Sequence, residues 1–275
     1  MTTTSVCSSH LHALSLEDVA TLAQRCGYDG LDISADLFAK GPPPHIVIDD
    51  SADLVARSTR SLVGVSRGAT SLSANTYLVR DDPQQAAIAK EHVRCVIDLA
   101  QALRIPFVHV FTGRAPPAVD SGAAWQQLAE VLGALCEYAS TRGVHVGIEG
   151  CVVHFVRSLE EHRRLFAMLP GVDLRVCFDP SHLYLHGESV FEAAEILLDR
   201  ISLVHVKDAA GTADSFSLPP LGQGDMPWPE MLHQLQALGY RGGYALEYEG
   251  RGYGWREDDE MILLSGRKFL REHGI

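Results

Sequence analysis

Four segments of the sequence end an apolar run on ionisable side chains: VHVGIE (144–149), LRVCFD (174–179), SLVHVKD (202–208) and YALE (244–247). In an extended strand, successive side chains point to opposite faces. Val144, Val146 and Ile148 then share one face, which leaves Gly147 and Glu149 on the other. The same alternation separates Val176 and Phe178 from Cys177 and Asp179, and Val204 and Val206 from His205 and Lys207. It separates Leu246 from Ala245 and Glu247, with Glu249 following on the Glu247 side. Successive strands thus carry Glu149, Asp179, His205 and Glu247 to a common end.

Like charges at close range disfavour one another's ionisation, so three carboxylates and an imidazole gathered together call for a cation. Mostly oxygen donors with one nitrogen suit Mn²⁺ or Mg²⁺, and Co²⁺ or Zn²⁺ are the alternatives. A six-coordinate ion on these four residues keeps positions open for substrate oxygens. Held there, a carbonyl and its neighbouring hydroxyl make the adjacent C–H acidic and stabilise an enediolate. Glu149 and Glu247, flanking such a substrate, are the candidates to remove and return the proton. Return to the opposite face epimerises, return to the neighbouring carbon isomerises, and loss of a β-hydroxyl dehydrates. The same ligands serve all three reactions. His182, three residues after Asp179 in DPSH, is expected beside the ligands or on the substrate. Singly, each group has a plainer reading: Glu149 as a solvated loop carboxylate, Asp179 as a turn start, His205 as a core histidine, Lys207 and Asp208 as a surface pair. Their shared parity, strand-end position and order favour a site, with Asp208, facing away, anchoring the loop.

The elements that must position these residues alternate along the chain. Candidate strands fall at Ser5–Leu11, Gly30–Ser34, Ser61–Ser66, Phe107–Thr112, Val144–Glu149, Leu174–Asp179, Ile201–Lys207 and Gly243–Glu247. Helix-period segments separate them. The first is capped by Ser15 and closed by Gly27, and a long one opens at Asp82-Pro83. Others fall at Ala123–Thr141, Ser158–Leu169, Ser189–Asp199, Pro229–Leu238 and Asp258–His273, with a weak helix at Asp50–Arg60. This repeat predicts an α/β fold, a (β/α)8 TIM barrel, with residues 1–275 as a single domain. An open doubly wound sheet would want a Gly-rich phosphate turn after an early strand, and none is present.

The chain has 275 residues, 46% of them hydrophobic, and a net charge of −12 from 35 acidic and 23 basic residues. Such a surface repels phosphate backbones, so no nucleic-acid partner is expected. No apolar run reaches the roughly 18 residues of a membrane span, and the N-terminus does not read as a signal peptide. Six scattered cysteines without a C-x-x-C pair are expected as reduced thiols in a cytoplasmic protein. A homo-oligomer is compatible with this composition. The expected partner is a small polyhydroxylated molecule.

FDPSHLYLHG, VHVKDAAG, PLGQGDMPW and LEYEG, with CGYDGLDIS and FVHVFTG earlier, resemble the sugar-phosphate isomerase/epimerase group of xylose-isomerase-like barrels. The resemblance covers nearly the whole chain. It implies metal ligands at Glu149, Asp179, His205 and Glu247, the set that parity selects. The group includes isomerases, 3-epimerases, an inosose dehydratase and, more distantly, abasic-site endonucleases, which need additional histidine ligands. His10 and His109 are candidates for that role by location only. Cys151 stands where members often carry a His, and Leu203 at the first position of H-x-H-x-K-D; both departures bear on the substrate. Arg67, Arg114 and Lys207 are the candidates to grip substrate hydroxyls, carboxylate or phosphate. Tyr253 and Trp255 either cover the site or pack the last helix onto the barrel. PLGQGD reads as a turn shaping the entrance, with Gly222 and Gly224 for backbone freedom. A metal-dependent isomerase or epimerase is the favoured reading, a lyase or dehydratase the alternative, and a non-catalytic sugar- or protein-binding barrel the third.

Overall fold

A computed structural model describes residues 2–38, 43–49, 53–62, 65–114 and 121–275. Eight parallel strands close into a barrel. They are β1 (Thr4–Cys7), β2 (Gly30–Ser34), β3 (Ala69–Ser73), β4 (Phe107–Phe111), β5 (His145–Glu149), β6 (Leu174–Phe178), β7 (Ile201–Val206) and, after a small β8–β9 hairpin (Ala210–Thr212, Ser215–Ser217), β10 (Gly243–Leu246). β10 lies between β7 and β1 and completes the ring. The helices are α1 (Leu16–Arg25), α2 (Leu54–Ser61), α3 (Pro83–Leu103), α4 (Ser121–Ser140), α5 (Leu159–Met168), α6 (Pro180–Leu185), α7 (Val190–Leu197), α8 (Trp228–Ala237) and α9 (Asp259–Glu272). Several start where the sequence supplies a cap. The Ser15 hydroxyl accepts from Asp18 N, and Ser158 with Glu161 forms a capping box.

Strand parity divides the core in two. Leu31, Ile33, Val108, Val110, Val146, Ile148, Val176, Phe178, Val204, Val206 and Leu246 belong to the large apolar layer between strands and helices. Phe107, Cys177, Leu203 and Ala245 form a separate cluster inside the barrel. Gly147 makes room for the second cluster: a Cβ there would come within 2.6 Å of the Phe107 ring. Burying a Phe side chain contributes about 1.5–3 kcal/mol, so this glycine is tied to packing in the barrel interior.

Two expected elements differ. The third strand is Ala69–Ser73, not Ser61–Ser66; Ser61 closes α2, and residues 63–64 lie outside the described residues. The first strand ends at Cys7, and Ser8–Leu11 turn into a 3-10 helix. No helix among the described residues is long and apolar enough to cross a membrane. None of the six cysteines is in a disulfide.

Candidate active site

Glu149 ends β5, Asp179 caps α6, His205 is on β7, and Glu247 follows β10 directly. One ligand atom from each lies within 4.8 Å of the others, and all four residues are buried. His205 Nδ1 is 3.0 Å from Glu149 Oε1 and 3.1 Å from Glu247 Oε2. Asp179 divides its oxygens between two tasks. Oδ1 accepts from Ser181 N at 2.9 Å and Ser181 Oγ at 2.6 Å, starting α6, which leaves Oδ2 aimed at the other ligands. Lys207 Nζ closes the group, 2.7 Å from Asp179 Oδ2, 3.1 Å from Glu247 Oε2 and 3.1 Å from Glu249 Oε2. It donates to His182 Nε2 at 3.2 Å. The sequence-predicted ligands and two of the expected substrate residues, His182 and Lys207, are thus together.

Opposite charges at short range offset the cost of burial throughout the group. Burial alone would raise Glu149, but His205 and His109 outweigh it and hold the carboxyl well below its usual range. Burial opposes Asp179 in the same way, and Lys207 and His182 bring it down. Burial would neutralise Lys207 and His205, yet the surrounding negative groups hold both well above their ordinary values. His182 is lowered by burial and by the Lys207 ammonium beside it. Asp179 Oδ2 and Glu247 Oε2 are buried without a well-formed hydrogen bond, held only by these charges. Three carboxylates and an imidazole, two of their oxygens unsatisfied, fit a hard divalent cation.

Beneath these four residues lie Asp32, which sequence reading did not assign to this site, and His109, a candidate there by location only. Asp32 on β2 and His109 on β4 are each 1% exposed. Both Asp32 oxygens lie 3.1 Å from His109 Nε2, and its Oδ2 lies 3.0 Å from His205 Nε2. Parity was the available signal: Leu31 and Ile33 flank Asp32, and Val108 and Val110 flank His109, all facing the helices. Burial opposes ionisation of Asp32, but the two imidazoles hold its carboxyl well below the usual range. A carboxylate gripping the far nitrogen fixes the orientation of a metal-binding imidazole.

Above the ligands a cavity of about 470 Å³ opens, with Glu149, His205 and Glu247 in its lining and His10, Asn75, Phe111 and Arg251 around it. Such a volume suits a small sugar. His10, expected near the site by location, is on the wall: its Nδ1 accepts from Tyr248 N at 3.3 Å, and burial lowers its pKa to about 3. Arg67 is a correction. It precedes β3 instead of following it, so it lies at the opposite end of the barrel, beside Arg104 and Arg241. Arg114 follows β4 but lines a neighbouring cleft with Trp125 and His154. Trp255 is half-buried against the core, the packing role, while Tyr253 lies against Phe216 of the β8–β9 hairpin, ring centres 5.4 Å apart. Asp208 does anchor its loop, accepting from Ala209 N at 2.9 Å, Gly222 N at 2.8 Å and Gly224 N at 3.1 Å. A Cβ on Gly224 would collide with that carboxylate, and Gly222 adopts φ +84°.

The profile of a family described as the xylose isomerase-like TIM barrel matches residues 20–273. The chain is 24% identical over 246 residues to the fructoselysine 3-epimerase of Shigella flexneri, covering 85% of each protein. Among solved structures it resembles the IOLI protein with a bound zinc atom, with TM-score 0.78, 16% identity and coverage of 98% and 97% of the two chains. It also resembles a xylose isomerase-like TIM barrel protein from Mycobacterium smegmatis in complex with magnesium, with TM-score 0.71, 14% identity and coverage of 99% and 95%.

Proposed function

Because the chain belongs to the xylose isomerase-like TIM barrel family, we propose that it is a divalent-metal-dependent epimerase or isomerase of a small sugar or related polyhydroxylated carbonyl compound. The observation that carries this reading is the placing of Glu149 and Glu247 at 3.0 and 3.1 Å from the same imidazole nitrogen, in the lining of a sugar-sized cavity. The similarity to a sugar 3-epimerase supports it.

A divalent cation held by Glu149, Asp179, His205 and Glu247 would supply Lewis acidity toward a carbonyl and the hydroxyl beside it. Mn²⁺ or Mg²⁺ suits this donor set best, and Co²⁺ or Zn²⁺ also fits it. The protein's own residues do the rest. β5 and β10 are separated by β6 and β7 around the barrel, so Glu149 and Glu247 approach the substrate from different sides. One removes the proton beside the carbonyl, and the other returns it. Lys207 donates to the oxygen that becomes negative, and neutral His182 keeps its ammonium in place. His10, with Nδ1 occupied as an acceptor, presents Nε2–H to a substrate hydroxyl.

The test is incubation of Mn²⁺-reconstituted protein in D₂O with ketoses, their phosphates and amine adducts, and inososes. Deuterium is expected at the carbon beside the carbonyl, in an epimeric or isomeric product. Loss of water, read by mass spectrometry, assigns the dehydratase alternative. No exchange on any carbonyl substrate with metal bound overturns catalysis.

Asp32→Asn provides a separate check on the support of His205. The neutral amide keeps one accepting oxygen, puts an NH₂ donor where the second stood, and carries no charge to balance the two imidazoles. Mn²⁺ affinity, read from the signal of free Mn²⁺ in electron paramagnetic resonance, is expected to fall about 10–100-fold. An unchanged affinity would show that Asp32 merely fills the barrel.

A further inference from the structure

The imidazole of His205 faces a second group of donors. His109, Glu149, Cys177 and His205 each offer a ligand atom within 4.8 Å of the others, and all four are buried. We propose that this deeper set is a second metal site, selective for a thiophilic ion such as Zn²⁺ or Co²⁺. It would exclude occupancy of the upper set, because the two share Glu149 and His205.

Asp32 is the reason both imidazoles are prepared. It takes Nε2 of His109 and Nε2 of His205, at 3.1 and 3.0 Å. A metal ion that displaces the Nδ1 proton of each ring then meets a lone pair there, while Asp32 keeps hold of Nε2–H. His109 Nδ1 is buried, makes no hydrogen bond, and lies 3.5 Å from Glu149 Oε2. His205 Nδ1 is 3.0 Å from Glu149 Oε1, so both nitrogens converge on one carboxylate. The sulfur comes from the neighbouring strand, where Cys177 on β6 stands in register with Glu149 on β5. Cys177 is fully buried.

The donor types separate the two sets. The upper one offers three carboxylates and one imidazole; the deep one offers two imidazoles, one carboxylate and a thiolate. The second composition is that of tetrahedral zinc, whereas Mg²⁺ and Mn²⁺ favour oxygen. With Zn–N near 2.0 Å and Zn–S near 2.3 Å, a tetrahedral shell spaces its donors by about 3.3–3.8 Å. The two imidazole nitrogens already lie 3.0 and 3.5 Å from the Glu149 oxygens, close to that spacing. Coordination exchanges the Cys177 S–H bond for an S–metal bond and displaces the Nδ1 protons of the two imidazoles, and all of these protons pass to solvent without electron transfer. Drawing Glu149 and His205 down removes them from the upper set. Zn²⁺ therefore displaces Mn²⁺ one for one instead of adding to it. The claim concerns binding alone and stands apart from the sugar reaction.

Titrating the metal-free full-length protein with Co²⁺ tests it, because the deep set contains the Cys177 sulfur and the upper set contains none. A near-ultraviolet thiolate-to-cobalt band is expected in the wild type and in Asp179→Asn, which weakens the upper set and leaves the deep one intact, and is expected to be absent in Cys177→Ser. No band in cobalt-loaded wild type, or a band that persists in Cys177→Ser, overturns the proposal. Should that variant fold poorly, X-ray absorption on the zinc-loaded wild type decides. A sulfur neighbour near 2.3 Å supports the deep set, and oxygen and nitrogen neighbours alone overturn it. Two divalent ions bound per chain at saturation would overturn the exclusivity.

Discussion

Glu247→Gln is expected to lower turnover of Mn²⁺-saturated protein by about 10²–10⁴-fold, the usual worth of general acid–base help. The amide keeps the shape of the side chain and one oxygen that can face a metal, so the substitution separates basicity from ligation. Solvent deuterium is expected to stop entering the carbon beside the carbonyl, with metal still bound at high Mn²⁺. Glu149→Gln behaves differently, because Glu149 also meets His205 Nδ1 at 3.0 Å and His109 Nδ1 at 3.5 Å. An amide there would keep one accepting oxygen but set an NH₂ against one of the two imidazoles and remove the charge both face, so Glu149→Gln is expected to lose metal affinity as well as rate. Comparing the variants at equal metal occupancy isolates the proton-transfer loss of each. If Glu247→Gln exchanges the proton at the normal rate, Glu247 is a ligand only, and the second base is to be sought at His182 or Lys207. If neither variant slows exchange while metal is bound, the two-carboxylate mechanism fails.

The barrel is most legible in the sequence where its strands are buried on both sides by apolar contacts. β5, β6, β7 and β10 carry aliphatic or aromatic residues on the helix side, and that regularity exposes Glu149, Asp179, His205 and Glu247 as exceptions. β3 reads ATSLS, with Leu72 as its single large apolar residue and Ser71 and Ser73 buried at alternate positions. Ser73 lines the cavity, where a larger aliphatic residue would take space from a ligand. The preceding SLVGVS run looks more like a strand because it carries the apolar residues that β3 has exchanged for a polar wall. Arg67 shifts with that boundary, from an apparent strand end to the opposite mouth. Asp32 and His109 obey the same parity as the ligands, yet neither has an ionisable companion inside its own strand. They meet across 77 residues of sequence only when the barrel closes. The β8–β9 hairpin and α6 are too short for periodicity to mark. Asp179, in contrast, is visible both as a strand end and as a helix cap, and the structure uses one oxygen for each role.

Lys207→Met is expected to destabilise the metal-free protein by about 3–5 kcal/mol, the cost of removing one partner from a buried charge group. The ammonium is 2% exposed and bridges Asp179 Oδ2 at 2.7 Å and Glu247 Oε2 at 3.1 Å. Glu249 is half exposed, so its contact with Lys207 adds little. Without Lys207 the two carboxylates face each other in a low-dielectric pocket with His205 as the remaining neighbouring cation. A divalent ion at the same place would supply the missing charge. Mn²⁺ is therefore expected to raise the unfolding temperature of Lys207→Met more than that of the wild type, beyond the mass-action gain common to both. The pH dependence has a fixed sign. Despite burial, Lys207 depresses Asp179 in the folded protein. Its contribution to stability is present above the unfolded carboxylate value, about 3.9, and is lost as pH falls through the lower folded value. The deficit of Lys207→Met relative to wild type should thus be full at neutral pH and shrink in acid, where the variant's carboxylates are protonated and no longer repel. Thermal unfolding in chelator across that range measures it directly. A deficit that is absent at neutral pH, or that Mn²⁺ reduces no further in the variant than in the wild type, would show that Lys207 and the proposed cation do not occupy the same electrostatic role.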